Sequence, residues 1–270
     1  MRTPRIAASS YLNTAPLCYS FVRGKQRDRC EFFSDASPAL CAETLAGGEA
    51  DAAMIPVIEY QRMSGIKISP GTCVSSRNRV RSVVLVSKLP VRQIKSVALD
   101  TTSRTSAVLV QILLARFYGL NPEYRPAAPL LPEMLSSSDA ALVIGDPAML
   151  IDRSGLEVYD LSEEWRKHTG LPFVFAFWAI RTEARRLFQG SGKSIDFVSA
   201  LEEGLAAVDV IASEYSVSLG LPGRELIDYL TKNISYALDD DALRGLNLYY
   251  ALAHECNLIE SPRELEFSLE

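Results

Sequence analysis

Over the first two thirds of the chain, short apolar runs of strand length alternate with helical patterns, an order that calls for βαβ units and a mainly parallel sheet. Residues 5–8 predict the first strand. A loop follows, then a helix over 15–23 that stops at Gly24, a residue suited to the position just past a helix end. Residues 30–33 are the next strand. Ser37 reads as a helix N-cap with Pro38 in the first turn, where a missing proline N–H costs nothing, and that helix runs to Gly47-Gly48. Residues 52–55, Val83–Ser87, 97–99, Ala140–Ile144 and 174–180 are further apolar runs of strand length, each bounded by polar or turn residues. From about Thr182 the character changes, and 195–213, 224–232 and Asp240–Glu255 read as helices. The last carries Leu243, Leu246, Tyr250 and Ala253 at spacings that fall on one helical face. Shifts in composition near Lys88-Leu89-Pro90 and near Trp178 suggest that the chain crosses twice between lobes. Residues 1–88 with 178–270 then form a discontinuous first lobe, and 89–177 an inserted second.

Composition narrows the picture. A chain of 270 residues accommodates two lobes at about 150 residues per domain. With 48% hydrophobic and 23% charged residues, disorder, collagen and coiled coil are poor explanations. Lys plus Arg number 28 against 33 Asp plus Glu, so the net charge of −5 provides no broad basic footprint for nucleic acid. An anionic ligand would need a local cluster of positive charge or a helix N-terminus. The segment MRTPRIAASSYLNTAPLCYS has no uninterrupted apolar stretch of the signal-peptide kind, so a cytoplasmic location is expected. No run approaches the roughly 20 apolar residues that span a bilayer, so no membrane partner is expected either. The cysteines, Cys18, Cys30, Cys41, Cys73 and Cys256, are odd in number and lack any CxxC spacing, which suits ordinary reduced thiols. His168 and His254 are far apart, so a metal site is not indicated.

Candidate chemistry sits at loops. Residues 10–17, SYLNTAPL, follow the first strand, and ligands in open α/β sheets sit at the carboxyl ends of strands. Asn13 and Thr14 there either meet a ligand or close the turn and cap the helix. Asp100-Thr101-Thr102-Ser103-Arg104-Thr105-Ser106 links the strand at 97–99 to an apolar helix. Hydroxyls, a guanidinium and free N–H groups at a helix start make a carboxylate or phosphate cradle, the alternative being an over-capped helix start. No GxxxxGK[ST] or GxGxxG follows a strand, so nucleotide binding is not indicated. Arg77, Arg79 and Arg81 precede Ser82, either as a basic edge beside a cleft or as a solvated loop. Gly145 would admit a ligand to the backbone, and Asp146 either orients a hydroxyl or caps the next helix. No GxSxG elbow or Cys–His signature supports covalent catalysis.

Together these segments resemble a known family, the chorismate dehydratases of the futalosine route to menaquinone. The blocks that carry the likeness, in order, are SYLNTAPL (10–17), GEADAAMIPVIEY (48–60), VRSVVLVS (80–87), ALDTTSRTSAVLVQILL (98–114), DAALVIGDPAM (139–149) and HTGLPFVFAFWA (168–179). The resemblance spans about residues 4–260. It implies an α/β, two-lobed fold of the type II periplasmic-binding-protein kind, with mixed sheets flanked by helices and a ligand cleft between the lobes. It also implies removal of water from chorismate to give 3-[(1-carboxyvinyl)oxy]benzoate, with no cofactor and no metal. The reaction loses the ring C3 proton and the C4 hydroxyl and is driven by aromatisation. The family's functional Asn and Ser fall on Asn13 and Ser82. Chorismate carries two carboxylates. The helix start formed by Ser103, Arg104, Thr105 and Ser106 is the first candidate holder and Arg81 the second, with Thr14, Gly145 and Asp146 also expected at the substrate. Neither Asn13 nor Ser82 is a base at neutral pH. Asp146, Glu59 or the enolpyruvyl carboxylate of chorismate itself is left for that role, and a dry cleft raises the basicity of the last. The lack of a base in the matched blocks favours an enzyme that holds chorismate in a reactive conformer. Two other functions compete. One is the sister enzyme that processes a cyclic dehypoxanthinyl futalosine, whose relatives resemble Ser-Pro-Cys-Pro-Asn-Asp where this chain has Asn-Thr-Ala-Pro; the other is a non-catalytic cytoplasmic solute-binding protein. Oligomeric state is not legible.

Overall fold

The computed structural model describes residues 2–35, 37–188 and 194–268. The chain begins with β1 (Arg5–Ser9), α1 (Ala15–Val22), β2 (Glu31–Asp35), α2 (Pro38–Ala46), β3 (Ala52–Pro56), α3 (Val57–Arg62) and the long strand β4 (Ile66–Ser76). It continues through β5 (Val83–Ser87), β6 (Ser96–Asp100), α4 (Arg104–Ile112), β7 (Glu123–Ala127), α5 (Leu131–Ser137), β8 (Ala140–Ile144), α6 (Gly145–Met149), β9 (Glu157–Asp160) and α7 (Leu161–Thr169). Then come β10 (Phe173–Arg181), α8 (Phe197–Ala206), α9 (Val208–Leu219), α10 (Gly223–Asp228), β11 (Ser235–Leu238) and α11 (Asp240–Glu255).

Two sheets result, ordered β11-β4-β10-β3-β1-β2 and β7-β6-β8-β5-β9. Among the named strands of the described residues, only β1 with β2 and β3, and β6 with β7 and β8, pair in parallel. The expectation of a mainly parallel sheet is therefore corrected to two mixed sheets. The antiparallel members include β5 and β10, the strands by which the chain enters the second sheet and returns to the first. β5 enters the second sheet and runs against β8 and β9, while β10 returns to the first and runs against β3 and β4. This also moves the expected crossings: Val83–Ser87 belongs to the second sheet, and Phe173 already belongs to the first.

Local signals account for several elements. Ser37 accepts a hydrogen bond from the Leu40 N–H at 3.3 Å with Pro38 in the first turn. Asp239 caps α11 through the Ala242 N–H at 3.0 Å, and Ala242, Leu246, Tyr250 and Ala253 of that helix are buried. The helix expected over 195–213 is instead two, because the backbone turns at Ala207 (φ −103°, ψ 15°) before α9 runs on to Gly220. α8 packs closely on α1: a Cβ on Gly204 would stand 1.8 Å from the Pro16 carbonyl oxygen. Trp178 stacks on Phe197 at 4.6 Å, and Trp165, Phe173 and Tyr249 make edge contacts at the join between sheets and α11. Among the described residues no helix is long and apolar enough to cross a membrane.

Candidate functional site

The carboxyl ends of the parallel strands in both sheets open onto one cleft, with about 540 Å³ of open space. From the first lobe come Ser9, Tyr11, Asn13 and Thr14 after β1, Pro38 at the start of α2, Met54 and Pro56 on β3, Val74 on β4, and Phe175 and Ala176 on β10. From the second come Val83, Ile144, Gly145 and the start of α4, Ser103, Arg104, Thr105 and Ser106. None of these described lining residues is Asp, Glu, His, Lys or Cys; Arg104 is the one charged group.

The start of α4 has no side-chain cap, so its first-turn N–H groups present the positive end of the helix to the cleft. The alternative of an over-capped helix is thereby set aside. Ser103, Thr105 and Ser106 are buried in the wall, and Thr105 Oγ1 accepts from the Ile58 N–H at 3.4 Å. Arg104 reaches across to the first lobe, with Nη1 2.9 Å from Glu59 Oε2 and Nη2 on Glu43. Glu59 also accepts from Arg62 Nη1 at 2.9 Å. Glu59 is thus held between two guanidiniums and is not in the cleft wall.

The β1–α1 loop is tied down at several points. Thr14 does not cap α1; its Oγ1 donates to the carbonyls of Ser9 at 2.6 Å and Tyr11 at 2.8 Å, which folds Asn13 into a single 3-10 turn facing the cleft. Asp146 stands outside the lining and accepts the Leu12 N–H at 3.0 Å, which links α6 to the first lobe. Burial pushes its carboxyl up to about 6 against the opposing pull of that N–H. Gly145 is left-handed (φ 67°), and a Cβ there would sit 2.8 Å from the Tyr11 ring. Its absent side chain admits this aromatic ring to the backbone.

Besides Asp146, two more expected residues, Arg81 and Ser82, fall outside the lining. The Arg81 backbone is left-handed (φ 68°), its N–H donates to Asp160 at 2.6 Å, and its guanidinium pairs with Glu225 of α10, which holds it outside the cleft wall. Arg77 likewise pairs with Asp239. Ser82 is fully buried behind Val83; its carbonyl accepts the Gly145 N–H at 2.8 Å and its Oγ accepts the Tyr229 phenol at 2.7 Å. Sequence reasoning singled out neither Tyr11 nor Tyr229. Tyr11 lies inside a quoted block, whereas Tyr229 reaches Ser82 across 147 residues with no local signal. Burial pushes the Cys30 and Cys73 thiols up to about 12, so neither is a ready nucleophile, and His168 stacks on Phe117 at 4.5 Å outside the cleft lining.

Two mixed α/β sheets around a cleft define the class of the periplasmic-binding-protein-like folds. Among solved structures, a structural-genomics protein from Archaeoglobus fulgidus superimposes with a TM-score of 0.75 at 18% identity, covering 95% of this chain and 98% of that one. A Candida albicans gene product with the generic periplasmic binding protein fold gives 0.66 at 14%, covering 97% and 92%. The alkanesulfonate-binding protein SsuA from Xanthomonas axonopodis pv. citri, bound to MOPS, gives 0.69 at 13%, covering 99% and 98%. By sequence, the family described as "Menaquinone biosynthesis" matches residues 4–255, and this chain belongs to it. A chorismate dehydratase from Thermus thermophilus is 32% identical over 92% of this chain and 94% of its own length.

Proposed function

We propose that the chain is a cytoplasmic chorismate dehydratase, a hydro-lyase that converts chorismate to 3-[(1-carboxyvinyl)oxy]benzoate without a cofactor. The observation that carries the reading is the make-up of the cleft wall. It offers an open helix N-terminus, hydroxyls, an amide and one guanidinium, yet no carboxylate, imidazole, amine or thiol among its described residues. Such a wall suits an anion and has no base of its own. Chorismate brings two carboxylates. One docks at the start of α4 against Ser103, Thr105, Ser106 and Arg104. The other, on the enolpyruvyl arm, stands beside the ring C3 proton.

In this reading the enolpyruvyl carboxylate removes the C3 proton, the electron pair enters the ring, and the C4–O bond breaks. The carboxylic acid just formed hands its proton to the departing oxygen, so one water leaves and the ring becomes aromatic. Asn13 hydrogen-bonds the C4 hydroxyl, and the apolar wall of Met54, Val74, Val83, Ile144 and Phe175 keeps bulk water from weakening the base. Family membership and the dehydratase relative support the same reaction. The test is incubation of metal-stripped protein with chorismate. Loss of the mass of one water together with a new aromatic absorbance is expected; chorismate recovered unchanged refutes the reading.

A further inference from the structure

We propose that Tyr229 is a positioning residue of this site: its buried phenol fixes the direction of a hydrogen-bonded row and thereby turns the Asn13 amide so that its carbonyl faces the cleft. The inference rests on the function proposed above. Tyr229 opens a π-helical turn, Tyr229–Asn233, directly after α10, and such turns insert one extra residue and re-aim side chains, often at functional sites. Its ring is fully buried, and its Oη lies 2.7 Å from Ser82 Oγ. The Asn13 side chain lies near enough to act on the phenol, which burial keeps protonated.

The proton count then decides the geometry. A phenol has one proton to give, and the more acidic phenol gives it to the serine hydroxyl. Its oxygen is left as an acceptor. Of the two ends of the Asn13 amide only the NH₂ suits that oxygen, which leaves Oδ1 as the end available to the cleft. An acceptor there matches the C4 hydroxyl of chorismate, whose proton it receives and whose C–O bond it orients. Tyr236 supplies the contrast. It is a neighbouring buried tyrosine whose hydroxyl has no hydrogen-bond partner among the described residues, so it packs without aligning anything.

The experiment is a double-mutant cycle on the full chain with Tyr229→Phe, Ser82→Ala and the pair, beside Tyr236→Phe. Tyr229→Phe keeps the ring and is expected to lower kcat about tenfold, the loss of one aligned hydrogen bond, with KM within about threefold and little change in Tm. The double variant is expected to be no slower than the slower single, because the two hydroxyls act in one row. Tyr236→Phe is expected to leave kcat unchanged. Wild-type kcat in Tyr229→Phe, multiplicative losses in the double variant, or an equal loss in Tyr236→Phe overturns the proposal. If the wild type binds chorismate without turning it over, the function reading fails and the same cycle is read on chorismate Kd, where additive effects overturn this inference separately.

Discussion

Replacing Asp146 by Asn isolates the cost of burying one charge between the lobes. The carboxyl of Asp146 is pushed from its ordinary 3.8 up to about 6, chiefly by burial and against the Leu12 N–H it accepts. A raised acid means that the folded protein holds a proton the unfolded chain has released, across the interval between those values. Its stabilising contribution is therefore complete below pH 3.8 and is lost as pH rises through about 6. Above that, the fold carries a half-buried carboxylate. A shift of about two pH units at 1.36 kcal/mol each puts the cost near ~3 kcal/mol. An amide at this position titrates nowhere, and its oxygen still accepts the Leu12 N–H. Asp146→Asn is thus expected to be more stable than the wild type by up to about 3 kcal/mol at pH 7.5, the gap closing toward zero near pH 4. Urea unfolding at half-unit pH steps measures it, with m-values compared to establish that the same transition is followed. A gap that stays flat with pH, or a variant less stable at pH 7.5, refutes the reasoning, because the Leu12 N–H would then outweigh desolvation.

Other expectations follow from the same wall. Glu59→Gln and Asp146→Asn are each expected to retain chorismate turnover within about tenfold, since neither carboxylate lines the cleft; a loss of several orders of magnitude at unchanged affinity would assign a protein base. Arg104→Ala is expected to weaken chorismate binding about tenfold or more by titration calorimetry, the usual worth of a charge-assisted contact, and an unchanged Kd removes that residue from the anion site. Gly145→Ala meets both a left-handed backbone and the Tyr11 ring at 2.8 Å, so it is expected to cost about 1–3 kcal/mol in unfolding free energy; wild-type stability would show that the loop relaxes without strain.

How much was legible follows from how local each determinant is. The Ser37-Pro38 start of α2, the strands Val83–Ser87 and Ala140–Ile144 and the helix Asp240–Glu255 are written in neighbouring residues, and all appear where the patterns put them. β4 was missed because Ile66–Ser76 mixes Ser, Thr, Lys, Pro and Gly into a strand whose burial comes from β10 and β11 on either side. β7 was missed because it is an edge strand, the place where Glu, Arg and Pro126 are tolerated. Strand direction was misread because alternation of elements does not reveal which strands carry the crossings. That the start of α4 lies at the cleft was legible from composition alone. Arg81 was not, because its left-handed backbone and its distant partners Asp160 and Glu225 turn the side chain away from the cleft.

The same locality explains how a binding-protein architecture serves an elimination. Bringing Asn13 from one lobe against the start of α4 from the other requires no reactive side chain, only that a loop be fixed by Thr14, by the Asp146–Leu12 bond and by a ring lying on Gly145. Orientation of this kind is worth about 7–11 kcal/mol when a base and its proton belong to one molecule held in a reactive conformer. On the proposed reading the substrate carries its own base and gains aromaticity, and it asks the protein for little else. On that same reading, the fixed geometry between lobes, with one positive helix end for the first carboxylate and a largely apolar wall around the second, is the catalytic device.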